Sequence, residues 1–165
     1  MSWQSGPALT FHGTDTNRSA VWRRGAWALA GFAACVALAW AWQQALGFPS
    51  QAWRGLAMWQ LAWMLVAAPL LEEWVFRRGL HDALLAQPRL VQLRFIGGWL
   101  SLTNCVVALT FSAFHAFSQG GWAVGVLAPA LLIGWVYERQ RSLRECVLLH
   151  AGFNLAWISA LWLRA

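Results

Sequence analysis

The 165-residue chain is 59% hydrophobic and 11% charged, where a soluble domain carries about 25% charged residues, so composition excludes an ordinary soluble domain and the length admits one helical membrane domain. Its net charge of +6 comes from 12 basic residues, all of them arginine, against six acids. The arginines cluster between apolar runs rather than in one patch, which marks them as topology signals and headgroup contacts and excludes a nucleic-acid partner. Fourteen tryptophans suit a chain with interfacial belts.

In chain order, residues 1–24 are expected to form an N-terminal cytoplasmic tail, polar over 1–17 and then basic at Arg18, Arg23 and Arg24. The apolar run from 25 to 42 is about one spanning helix long, and it defines an accessory transmembrane helix over 25–43. The arginines before it put the N-terminus in the cytoplasm. A cleavable signal with Ala37-Leu38-Ala39 as its site is the rival reading, disfavoured by the run's length and its close on Trp40 and Trp42. Residues 43–54, with Gly47-Phe48-Pro49-Ser50, read as a turn-rich connection on the far side.

Residues 56–165 form the core. The run over 56–76 carries Pro69 one turn before two adjacent glutamates, and proline in a helix frees a carbonyl and favours a kink. The segment 77–94 is basic, amphipathic and broken by Pro88, with His81 and Asp82 expected to be solvated and to carry no chemistry. The third run, 95–117, is interrupted by Gly97-Gly98 and holds Ser101, Thr103, Asn104, Thr110, Ser112 and His115. A turn at Ser118-Gln119-Gly120-Gly121 leads to the fourth run, 122–137, and a second basic loop over 138–145 precedes the fifth, 146–163, which carries His150 and Asn154. The expected architecture is all-α, a polytopic bundle of about five spans. Cys35, Cys105 and Cys146 lie in apolar runs without C-x-x-C spacing, so neither a disulfide framework nor a zinc knuckle is expected.

Two of the six acids stand side by side at Glu72 and Glu73. An ionised carboxylate at mid-bilayer costs roughly 2.5–3.5 kcal/mol on insertion scales, so a second one beside it makes no sense as packing. Glu73 and Arg77 are spaced i,i+4 with the acid first, the better order for a pair. Glu72 points about 100° away around the helix and is left to face something else. The competing reading puts both glutamates at the water interface beside Arg77 and Arg78. The other ionisable groups in apolar surroundings are His115 and His150. His150 shares a helix face with Asn154, and Phe111 shares one with His115.

Glu72-Glu73-x-x-x-Arg77, Phe111-x-x-x-His115 and His150-x-x-x-Asn154 resemble, in order and spacing, the three motifs of the CPBP family, which holds type II CAAX prenyl endopeptidases and bacteriocin-processing Abi proteins. The likeness runs over roughly 56–163. Arg78 stands where the family often has glycine, and one helix rather than several precedes the core. The resemblance implies an intramembrane glutamic endopeptidase. Glu72 would be the base, and His115 would hold the same water and shuttle its proton. Asn154 and His150 would supply oxyanion donors, with Glu73, Arg77 and Phe111 in supporting places. No cofactor is expected. A zinc site on Glu72, His115 and His150 is the alternative chemistry, weakened by the lack of an H-E-x-x-H helix. Rival functions are a non-enzymatic immunity or binding protein and a small transporter, the latter without the inverted repeat it favours. The expected partners are the lipid bilayer and a membrane-anchored protein or peptide. Short members also resemble myxosortase-like proteases of C-terminal sorting tails, and arginine-only basic content points to a bacterial inner membrane.

One tension stands in the sequence. From Arg94 to His115 is 21 residues, roughly 30 Å if helical, whereas the six from Arg144 to His150 span roughly 9 Å. Either the Gly97-Gly98 region lies outside the bilayer, or the third and fourth runs are broken near their glycines.

Overall fold

The computed structural model describes residues 15–47 and 56–163. Most of the expected N-terminal tail and the connection over 48–54 lie outside the described residues.

Helix α1 (Asp15–Ala45) is Ala-rich, which suits a long helix. It ends where Gly47 takes a φ of +62°, a conformation that favours glycine at a helix C-terminus. Its segment Ala26–Ala45 is, among the described residues, the one stretch long and apolar enough to cross a membrane by length and composition alone. Helix α2 runs unbroken over 58–85 and contains two π-helical segments, Trp63–Ala67 and Trp74–His81. At its start the Ala57 N–H donates to the Gln60 side chain at 2.8 Å. After a single turn, α3 (Pro88–Val91), the chain forms a small antiparallel hairpin of β1 (Arg94–Phe95) and β2 (Leu100–Ser101). The hairpin turns through Ile96, Gly97 and Gly98, all at positive φ.

Helix α4 (Leu102–Gln119) starts at Ser101, whose hydroxyl accepts from the Asn104 N–H at 2.9 Å, an N-cap of the usual kind. It stops at Gly120, again at positive φ. A 3-10 segment, Gly120–Val126, leads into α5 (Leu127–Gln140). Helix α6 (Leu143–Trp162) is capped by Ser142, which accepts from the Glu145 N–H. Helices α4, α5 and α6 pack in sequence, α2 lies against α4 and α6, and α1 lies along α6.

Three expectations change here. The third run is not one helix from residue 95: the hairpin takes up 94–101. Starting the helix at Leu102 removes eight residues, roughly 12 Å of the excess length that separated the two histidines. Second, α2 does not end with the apolar run at residue 76 but continues to residue 85, through the first half of the basic, amphipathic segment. Third, the fourth run opens as a 3-10 turn. The reason is local in each case: Gly97 and Gly98 at positive φ turn the hairpin and Gly120 at positive φ ends α4, whereas Arg77 and Arg78 are good helix formers that do not stop α2.

The outer surface is apolar where that of a water-soluble bundle is polar, and the interior holds charged groups among apolar ones. Glu73, Arg77 and His81 are fully buried, while Trp59, Trp74, Leu109, Phe114, Phe117 and Leu148 are exposed. Lipid is the solvent in which such an outer surface is stable. The interior is close-packed around two clusters. One joins Ala108, Phe111 and Ala130 to Phe76 and Leu131, and the other joins Ile133, Tyr137 and Cys146 to Leu149 and Phe153. Gly134 on α5 is required by close approach. A Cβ there would stand 1.9 Å from Asn104 Oδ1 and 3.1 Å from Arg77 Nη1.

Candidate active site

The site is built on the irregular middle of α2. In the π segment Trp63–Ala67 the backbone bonds run five residues apart, and the Ala68 N–H donates to the Trp63 carbonyl. The next carbonyl in that register, Met64, would take its hydrogen from residue 69, which is proline and has none. Asn154 fills the gap from α6: its Nδ2 donates to Met64 O at 2.7 Å. The freed carbonyl expected from Pro69 is therefore satisfied by a side chain of a neighbouring helix, which ties α6 to α2 beside Glu72. One Asn154 N–H is consumed in this way, and an amide nitrogen has a second.

Glu73 and Glu72 then diverge as the helix period requires. Glu73 is fully buried, which overturns the reading of both acids at a water interface. Arg77 Nε donates to Glu73 Oε2 at 2.8 Å. The other oxygen, Oε1, accepts from His150 Nδ1 at 2.7 Å. Glu72 is partly exposed, and its Oε2 is buried with no hydrogen-bond partner. That oxygen lies 3.6 Å from His150 Nε2 and 3.8 Å from His115 Nε2. Both distances are too long for direct hydrogen bonds and short enough for one water between.

The tautomers follow from the partners. His115 Nδ1 faces the Phe111 carbonyl at 3.0 Å, so it must donate, and its Nε2 presents a lone pair. His150 Nδ1 donates to Glu73, so its Nε2 carries a hydrogen only in the doubly protonated ring, whose charge the Glu73 carboxylate faces. Phe111 stands between the imidazoles, its ring 4.3 Å from that of His115 and 5.8 Å from that of His150. The long α4 and the short lead of α6 thus bring both histidines to one acid, around a cavity of about 250 Å³ lined also by Phe111 and Asn154.

His81 is not solvated as expected, and Asp82 is solvated only in part. His81 is fully buried: Arg77 Nη1 donates to its Nδ1 at 3.4 Å, and its Nε2 donates to Glu138 Oε1 at 3.2 Å. Glu138 also accepts from Ser101 Oγ and has Arg94 at 3.8 Å. Asp82, about one-third exposed, accepts from Tyr137 Oη at 2.9 Å and from Arg141 at 2.8 Å. The reason is the continuation of α2. Glu73, Arg77 and His81 recur every fourth residue, and the wider π turn over Trp74–His81 counteracts the overshoot of that spacing against a 3.6-residue turn. The four-residue repeat was visible in the sequence. The partner Glu138 on α5, and Ser101 at the end of the hairpin that holds it, were not.

The chain is thus helical with an apolar exterior, and it brings a carboxylate and two imidazoles to one internal cavity. The chain belongs to the type II CAAX prenyl endopeptidase Rce1-like family, which matches residues 53–156. This makes it a protease of an integral-membrane family whose fold is helical and whose substrates are membrane-anchored proteins. Helix α1 lies outside the matched residues. No curated protein and no solved structure matches the chain.

Proposed function

We propose that the protein is an intramembrane glutamic endopeptidase that cleaves a peptide bond of a membrane-anchored protein, C-terminal sorting tails being the favoured substrates. The observation that carries this reading is the convergence of the unpartnered Glu72 Oε2 and the Nε2 atoms of His115 and His150 on one cavity. A water between Glu72 and His115 donates a hydrogen to each and turns a lone pair toward the scissile carbonyl. Glu72 takes the proton as the tetrahedral intermediate forms. The free N–H of Asn154 and the Nε2–H of protonated His150 face the oxyanion, and the departing amine recovers a proton through Glu72 or His115. The rest of the reading is a chain of about five spans in a bacterial inner membrane, with the N-terminus in the cytoplasm and the C-terminus outside. A reporter fused after Ala165 should score as external, and a cytoplasmic score overturns this topology.

Zinc on Glu72, His115 and His150 is the second chemistry, favoured by one observation. Both histidines donate Nδ1–H to an acceptor, as ligating imidazoles do. Against it, the sequence has no H-E-x-x-H helix to supply a closely spaced ligand pair. Activity in detergent should survive chelators, and the purified protein should hold far less than one zinc per chain. Asn154→Ala should lower turnover roughly 10²–10³-fold with little change in KM, as loss of an oxyanion donor does. Stoichiometric zinc that is lost on His150→Ala would replace the glutamic mechanism with the metal one.

A further inference from the structure

We propose that His81 and Glu138, which lie outside the three motifs, are positioning residues for the catalytic histidine His150, acting through Arg77 and Glu73. This rests on the hydrolase reading above. The links are continuous and buried. Glu138 Oε1 accepts from His81 Nε2 at 3.2 Å, and His81 Nδ1 accepts from Arg77 Nη1 at 3.4 Å. Arg77 Nε donates to Glu73 Oε2 at 2.8 Å, and Glu73 Oε1 accepts from His150 Nδ1 at 2.7 Å. The side chains of Arg77 and His81 are fully buried and that of Glu73 nearly so, which keeps these links out of bulk solvent.

Each link dictates the next. A neutral imidazole has one donor and one acceptor nitrogen. Glu138 takes the hydrogen at Nε2, so His81 must present its lone pair to Arg77. With that acceptor at Nη1 and the Ala130 carbonyl accepting from Nη2 at 3.2 Å, the guanidinium plane is held at three points. Its Nε then fixes one Glu73 oxygen, and the other is left to aim His150 Nε2 at the cavity. Glu138 is itself anchored by Ser101 at the end of the hairpin, so this arrangement joins the hairpin to the catalytic cavity.

The test uses the geometry of the histidine ring. Asparagine places its oxygen where Nδ1 stands, and glutamine places its amide nitrogen where Nε2 stands. His81→Asn keeps the acceptor for Arg77 and loses the bond to Glu138, and His81→Gln does the reverse. With a quenched-fluorescent peptide carrying a C-terminal apolar helix and terminal arginines, His81→Gln should lower kcat on the order of 10- to 100-fold at unchanged KM, the scale of a small misplacement far from the chemistry. His81→Asn should stay within about threefold of wild type, because Glu138 acts by setting the tautomer of the imidazole, and an asparagine oxygen accepts from Arg77 without that setting. The downfield imidazole proton of His150 Nδ1–H, read by NMR on histidine-labelled protein in detergent, should persist in His81→Asn and be lost or shifted in His81→Gln. Equal effects of the two substitutions on kcat and on that proton, or a His81→Gln protein indistinguishable from wild type, would overturn the proposal. Failure of the wild type to cleave faster than Glu72→Gln counts instead against the protease reading, and the NMR comparison still decides the positioning claim.

Discussion

Glu72→Gln should stop peptide cleavage while leaving the protein at least as stable as wild type. Glutamine keeps the shape and one oxygen acceptor but cannot take a proton from water, and a positioned general base contributes roughly 10²–10⁴-fold. Stability should move the other way. Glu72 Oε2 is buried with no direct hydrogen bond to another protein group, so the carboxylate carries a desolvation cost that a neutral amide lessens. A site that destabilises its own fold for the sake of chemistry is the usual compromise between stability and activity. Cleavage assays beside thermal melts in detergent read both effects at once. A Glu72→Gln protein that cleaves at the wild-type rate removes Glu72 as base.

Its neighbour should behave in the opposite way. Glu73 is fully buried, with one oxygen on Arg77 and the other on His150. Glu73→Gln leaves the buried guanidinium without its counter-charge, and breaking such a pair from one side costs about 3–5 kcal/mol. The variant should melt well below wild type and accumulate poorly. The protein that does fold should retain part of its activity, since the glutamine oxygen can still accept from His150 Nδ1. The two adjacent, chemically identical residues therefore predict crossed signatures: activity lost and stability kept at Glu72, stability lost and activity partly kept at Glu73. Matching melts for the two variants would show that the structure has the division of labour wrong.

Much of the site was legible before any coordinates because its members sit in apolar surroundings, where an ionisable group is costly and rarely accidental. The helix repeat alone separates Glu72 from Glu73 and pairs the latter with Arg77, since i,i+4 neighbours are set by backbone geometry whatever surrounds them. The same repeat placed His150 and Asn154 on one face, and Pro69 announced a freed carbonyl.

The tertiary structure decided everything that depends on a second helix. It sends the Met64 carbonyl to Asn154, turns Glu73 toward His150 as well as Arg77, and buries His81 between Arg77 and Glu138. It also removes more than half of the mismatch in length between the third and fifth runs by folding 94–101 into a hairpin. No local pattern could show these, because hydropathy reports how apolar a stretch is but not which polar groups from distant stretches meet inside it. His81 illustrates the limit: among Arg77, Arg78 and Asp82 it reads as a surface residue, and only its contacts with Glu138 and Tyr137 of α5 and the packing of α2 on α4 remove it from water. Sequence determined which residues are expensive to bury in this protein, and packing determined which of them share that expense, because burial energy is a property of a residue and pairing is a property of the fold.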